Sequence, residues 1–323
     1  MRIIAVDDDP FIIEVLPRIC AKLGFTDIDT TMSAAQALSM AAAAGPRCGC
    51  FLIDINMPEM DGIELCRKIR AMPAHRRTPI IVLTGIVERG FVDRAFEAGA
   101  TDCATKPFDL VELGTRLRAA QSLNEAWDTA VFADSVEDPE NDELVDWASY
   151  RSPLEVGGNG LFLDPAAACN YLTQLSRTGL GGIQVIGAKL DGAEAICVKA
   201  GRSGFLNVLS EVGDALDDVL RRDGYVMTYL GRGSFVIVAK QASAIAPHRL
   251  EADVQDILDE RMTEHADGTP FDLEVSVGIP IRPILAEMGD VNQVFERAVT
   301  RAEQRFSSKQ KSTSRLNFFA RRF

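Results

Sequence analysis

Four short apolar runs in the first third of the chain each end in oxygen- or ammonium-bearing residues, and no other feature limits the fold as strongly. Residues 3–6 lead into Asp7-Asp8-Asp9-Pro10, residues 51–53 into Asp54, residues 80–83 into Thr84, and residues 103–105 into Lys106-Pro107. A fifth run, residues 28–30, lies between the first two. Amphipathic stretches at residues 11–23, 34–44, 62–72, 87–98 and 110–121 follow the runs in turn. Strand and helix alternating five times predict an α/β domain with a doubly wound, five-stranded parallel sheet covered on both faces. Ligands of such sheets sit beyond the C-terminal strand ends. Asp7, Asp8, Asp54, Thr84 and Lys106 are therefore expected in one cleft.

Three carboxylates in one cleft repel each other, and the natural compensation is a hard divalent cation held through oxygens. Magnesium is the ion expected. Read alone, Asp8-Asp9-Pro10 is also an ordinary capped helix start. That reading accounts for one strand end and leaves the other three unexplained.

The segments Val6-Asp7-Asp8-Asp9-Pro10, Asp54-Ile55-Asn56-Met57-Pro58-Glu59-Met60-Asp61-Gly62 and Lys106-Pro107-Phe108 resemble, in order and spacing, the signature of CheY-like receiver domains of two-component response regulators. The resemblance covers residues 1–122. It implies a flavodoxin-like fold, phosphorylation of Asp54 by a sensor histidine kinase or phosphotransfer protein, and Mg²⁺ bound by Asp7, Asp8, Asp54 and the carbonyl of Asn56. Lys106 and Thr84 would then contact the phosphoryl group, and the Lys106–Pro107 bond would be cis. Self-association as a homodimer through the fourth and fifth helices is implied by resemblance only. Two positions depart from the family: Cys103 stands where a switch aromatic is usual, and Gly85 follows Thr84 where alanine is usual. Any two-state change is then expected to run through Thr84 and the loop after it.

A length of 323 residues favours two domains. A formal charge of −13 opposes binding to nucleic acid or anionic lipid, and neither partner is expected. Seven scattered cysteines without a secretory leader read as reduced thiols in a cytoplasmic protein. The absence of a long apolar stretch predicts no membrane span. Residues 123–160 are rich in Asp and Glu and read as a solvated linker, with the fifth helix running on as far as Trp127 as an open option. The basic residues 309–323 read as a charged, solvated tail.

Between these flanks, residues 161–308 alternate helices with a largely antiparallel set of strands, an α+β pattern. Strands are expected at 182–189, 225–230, 235–240 and 273–279, and helices at 165–177, 206–222, 250–265 and 291–306. The hairpin about Gly231-Arg232-Gly233-Ser234-Phe235, the strand Val275-Ser276-Val277-Gly278-Ile279 and Arg297-Ala298 resemble the GGDEF diguanylate cyclase family. The resemblance implies a nucleotide-cyclase-like fold whose chemistry is missing. The signature turn lacks both acidic residues, Lys189 stands at a metal aspartate, and Asp191 takes the less critical position. Cys197 and Leu206 stand at the guanine-reading positions. Arg222 keeps the first position of the inhibitory Arg-x-x-Asp motif, but Tyr225 stands at its aspartate. The expectation is a degenerate, catalytically inactive domain whose turn is a tight hairpin. The alternatives are a diguanylate cyclase with aberrant ligands, or a receptor for GTP or cyclic di-GMP.

Overall fold

A computed structural model describes the backbone at residues 1–85, 89–134, 150, 162–221, 224–240, 246–261 and 272–320; the side chains of residues 89, 127–134 and 312–320 lie outside the description. The chain divides into two compact units, Met1–Asp138 and Pro139–Phe323.

In the first unit, β1 (Arg2–Val6), β2 (Ile28–Thr31), β3 (Cys48–Asp54), β4 (Ile80–Thr84) and β5 (Asp102–Thr105) alternate with α1 (Pro10–Lys22), α2 (Ala34–Ala44), α3 (Gly62–Arg70), α4 (Arg89–Glu97) and α5 (Leu110–Asp134). The strands pair in the order β2-β1-β3-β4-β5, every pair parallel. The expected α/β sheet is therefore present. Order reverses at β1, which has β2 on one side and β3 on the other, so a crevice opens at their C-terminal ends. Ile3, Ala5, Leu52, Leu83, Leu16, Cys20 and Leu117 join in one fully buried cluster between the sheet and its helices. Burying each large aliphatic side chain stabilises the unit by about 1.5–3 kcal/mol. Helix starts are fixed locally. The side chains of Asp9, Ser33 and Asp61 accept from the amides of Phe11, Gln36 and Glu64.

The fifth helix does not stop near Gln121. It runs to Asp134, and the Asn124 side-chain amide donates to the Gly49 carbonyl at 2.6 Å. The first residues of the expected linker therefore belong to the first unit. Residues 122–133 contain no Gly or Pro, and the acidic crowding that opposes order begins only at Asp134. The rest of the expected linker, apart from Tyr150, lies outside the described residues.

The second unit contains α6 (Pro165–Thr178), β6 (Ile183–Leu190), α7 (Ala193–Leu220), β7 (Tyr225–Tyr229), β8 (Ser234–Lys240), α8 (Pro247–Arg261), β9 (Val275–Val277) and α9 (Val291–Ala320). Its sheet has the order β7-β8-β6-β9 with all three pairings antiparallel. The helix expected from 206 begins at Ala193 instead, and Gly201 at φ 65° breaks it into two segments. The last strand is shorter than expected. α9 presses on the sheet where glycines admit its backbone. A Cβ on Gly187 would lie 2.0 Å from the Ala298 carbonyl oxygen, and one on Gly278 would lie 2.7 Å from the Ala302 nitrogen.

The expected tail is also corrected. Lys309 lies within α9, and its ammonium donates to the Val275 carbonyl at 2.8 Å and faces Asp191 and Glu251, each at 3.5 Å. Arg305, one helical turn earlier, grips both oxygens of Glu251. The buried acids Asp191, just after β6, and Glu251 on α8, with the Val275 carbonyl of β9, thus capture basic residues whose charge alone suggested solvation.

Candidate functional site: a carboxylate cleft with a lysine

The strand ends of the first unit converge as expected. Ligand oxygens of Asp7, Asp8 and Asp54 all lie within 4.8 Å of one another. Asp7 and Asp54 are buried and Asp8 is exposed, so the cluster opens to solvent on one side. Lys106 Nζ lies 2.5 Å from Asp7 Oδ2 and 2.5 Å from Asp54 Oδ1. The second Asp54 oxygen accepts the amide of Asn56 at 2.7 Å, and Asp7 Oδ1 accepts the amide of Asp9 at 3.1 Å.

Several local devices aim these groups. The Asp7 amide donates to Thr31 at the end of β2, and the Lys106 amide donates to the Thr84 carbonyl at 2.8 Å. Lys106–Pro107 is cis, as the resemblance implied. The loop after Asp54 folds back tightly: Glu59 adopts φ 67°, and Gly62 donates to the Ile55 carbonyl at 2.9 Å. A Cβ at Gly62 would lie 2.1 Å from the Asp54 carbonyl oxygen, so only glycine leaves that backbone in place.

Burial pushes the Asp7 carboxyl above its ordinary range despite the opposing pull of Lys106. The Lys106 ammonium is disfavoured by burial, yet its bonds to Asp54 and Asp7 outweigh that and raise its pKa. The cleft therefore holds a firmly charged lysine beside an acid that gives up its proton reluctantly. Such a site suits attack by a carboxylate on a phosphoryl group whose oxygens need positive partners.

Thr84 is buried at the end of β4, and residues 86–88 after it lie outside the described residues. Cys103 is buried on β5, where burial pushes its thiol far up. Beside it runs a pair the sequence did not announce: Arg116 of α5 bonds Asp102 of β5 and also Glu112. Their fourteen-residue separation carries no local pattern, and only strand-to-helix packing brings them together.

In the second unit, Gly231, Arg232 and Gly233 all have positive φ (89°, 54° and 73°) and form the β7–β8 hairpin turn, closed by Ser234 donating to the Gly231 carbonyl. Lys189 Nζ donates to the Arg232 carbonyl at 3.1 Å and to Ser234 Oγ at 3.5 Å, and faces Glu303 at 3.7 Å. Phe235 is fully buried beneath the turn. Arg222 lies outside the described residues. Tyr225 donates to the buried Asp217 instead of extending an arginine motif.

Comparison with known proteins agrees with this geometry. Residues 3–118 match the response regulator receiver domain family. Response regulator PleD of Caulobacter vibrioides is 38% identical over 120 residues, covering 36% of this chain and 25% of PleD. Response regulator MprA of Mycobacterium leprae is 34% identical over 150 residues, covering 45% of this chain and 64% of MprA. The matches thus span a quarter to somewhat under two thirds of those relatives. A crystal structure of chemotaxis protein CheY4 of Vibrio cholerae aligns with 28% identity over 37% of this chain and 97% of its own, at a TM-score of 0.35. With the acidic cluster, the lysine and the parallel sheet on one edge, residues 3–118 form a response regulator receiver domain.

Proposed function

We propose that this chain is a response regulator in which Asp54 accepts a phosphoryl group from a sensor histidine kinase or phosphotransfer protein, and that its second unit is a catalytically inactive GGDEF-like output acting through protein interaction or dimerisation. The observation that carries the first half is Lys106 bridging Asp54 and Asp7 beside Asp8. One Asp54 oxygen attacks phosphorus, the phosphorus–nitrogen bond of the donor histidine breaks, and the electron pair leaves on the imidazole. Lys106 swings onto a phosphoryl oxygen, and the Thr84 hydroxyl donates to another. The Asn56 amide holds the second Asp54 oxygen in the attacking orientation. Asp7, Asp8, Asp54 and the Asn56 carbonyl would hold Mg²⁺, which supplies charge neutralisation when bound.

Lys189 supports the second half. Its ammonium, tied to the hairpin turn, stands at the position that a metal aspartate takes in the cyclases the sequence resembles. An ammonium about 4 Å from a dication opposes it by several kcal/mol at an effective dielectric near 20. Incubation with GTP and Mg²⁺ is expected to give no cyclic di-GMP above a no-enzyme control; product above that control sinks the inactive reading. Calorimetric titration with GTP and with cyclic di-GMP tests the receptor alternative, and flat traces at high protein concentration dismiss it. Sedimentation with and without beryllofluoride tests dimerisation, and an unchanged value counts against it.

A further inference from the structure

Among the described residues β9 is an outer strand of the second unit's sheet, and an outer strand carries a row of backbone groups that no strand pairs. Along residues 273–278 the even positions face β6. The Glu274 carbonyl accepts the Asp191 amide at 2.8 Å, and the Gly278 amide donates to the Gly187 carbonyl at 2.9 Å. The odd positions therefore face outward. At each of them a side chain takes a backbone group. The Leu273 carbonyl accepts from Gln255 Nε2 at 2.8 Å, the Val275 carbonyl accepts from Lys309 Nζ at 2.8 Å, and the Val277 amide donates to Glu251 Oε2 at 2.9 Å. Arg301 continues the row past the strand end, donating to the carbonyls of Ile279 at 3.0 Å and Pro280 at 2.8 Å.

Two helices supply the row at regular spacing. Glu251 and Gln255 stand four apart on α8, and Arg301, Arg305 and Lys309 stand at intervals of four on α9, so each set shares one helix face. Arg305 joins through Glu251, both of whose oxygens it grips. α8 packs Leu250, Val254 and Leu258 into the cluster that holds Ala188, Val275 and Val277, whereas α9 approaches the opposite face of the sheet at Gly187. Side chains from both faces thus close over one edge. A valine-rich strand such as Val275-Ser276-Val277 is otherwise suited to pairing. Antiparallel pairing of an edge with its own copy is self-complementary under twofold symmetry.

We infer that α8 and α9 form an edge guard, whose basic stripe Arg301, Arg305 and Lys309 keeps β9 from pairing with the β9 of a second copy of this chain. The guard acts whether or not the unit descends from a cyclase and whether or not Asp54 is phosphorylated.

Sedimentation of the full chain without a phosphoryl donor tests it. Arg301→Ala combined with Lys309→Ala bares the Val275, Ile279 and Pro280 carbonyls and should tighten self-association about tenfold over the wild type, the size that new backbone hydrogen bonds support. Lys309→Ala alone is the milder change and should give about threefold. Hydrogen exchange of residues 272–278 in the double variant should slow as protein concentration rises, because a partner strand covers amides that the monomer exposes. Adding Val275→Pro removes an outward-facing amide without touching the bonds to β6, and should return the double variant to wild-type association. Unchanged sedimentation in both guard variants overturns the inference. So does exchange that quickens equally at every concentration, which would make the stripe a packing contact only. Association that leaves exchange in 272–278 unaltered overturns it too, since the new contact would then lie elsewhere.

Discussion

Lys106 Nζ lies 2.5 Å from Asp54 Oδ1, and the same ammonium lies 2.5 Å from Asp7 Oδ2, so one cation spans the proposed nucleophile and a proposed metal ligand. Under the proposed function, a lysine so placed would compete with a metal for Asp7 and serve the phosphoryl group on Asp54. The two roles are separable by experiment.

Removing the nucleophile gives the simplest test. Acetyl phosphate with Mg²⁺ should label the wild type on Asp54, and Asp54→Asn should take no label. Equal labelling of both by intact mass would refute the phosphoacceptor assignment.

Lys106→Met removes the ammonium while keeping a side chain of similar length. Mg²⁺ affinity, read from the thermal shift of the unphosphorylated protein, should hold or rise because Asp7 loses its competing partner. The labelling rate should fall by about 10²-fold or more, as when one oxyanion-stabilising donor is lost. A parallel loss of both would mean that Lys106 only supports the fold.

The pH dependence of metal binding follows from Asp7. Burial raises its folded pKa above the unfolded value, so its stability contribution is present below the unfolded pKa and fades as pH rises through the folded one. Metal binding runs the other way, since a ligand carboxylate must be ionised. Mg²⁺-induced stabilisation should therefore weaken on acidification from a higher pH than an ordinary aspartate would give, and Asp7→Asn should abolish it. Differential scanning fluorimetry between about pH 4 and 8 measures both.

Glu251 carries the clamp on α9. Burial pushes its carboxyl up, but Arg305, the Val277 amide and Lys309 together hold it below the usual carboxylate range. Its contribution is then present above the unfolded pKa and lost as pH falls through the folded one. Glu251→Gln should destabilise the second unit by roughly 1–3 kcal/mol in chemical denaturation at neutral pH. Lys309→Ala should cost about 0.5–1 kcal/mol, whereas a solvated tail would give no change.

Gly187→Ala tests how closely α9 approaches the sheet. The added methyl would meet the Ala298 carbonyl oxygen at 2.0 Å, and the backbone would have to shift. A loss of about 1–3 kcal/mol or more is expected by urea denaturation.

The sequence by itself determined the first unit and its cleft. Short continuous apolar runs closing on Asp7, Asp54, Thr84 and Lys106 are local signals, and a doubly wound sheet leaves those strand ends only one edge to share. Local signals also announced the hairpin at Gly231–Gly233, because only turn geometry asks for such glycines. Tertiary structure alone decided where α5 and α9 end. Asn124 is held by Gly49 from 75 positions away, and Lys309 is held by Asp191 from 118 away, so composition could mark these residues as linker and tail but could not see their partners. The same holds for the strain at Arg232, whose backbone is fixed by Tyr150 and Lys189, both distant in sequence. A charge reads as solvated until the fold supplies a buried counter-charge, and long-range packing is the one thing a local pattern does not encode.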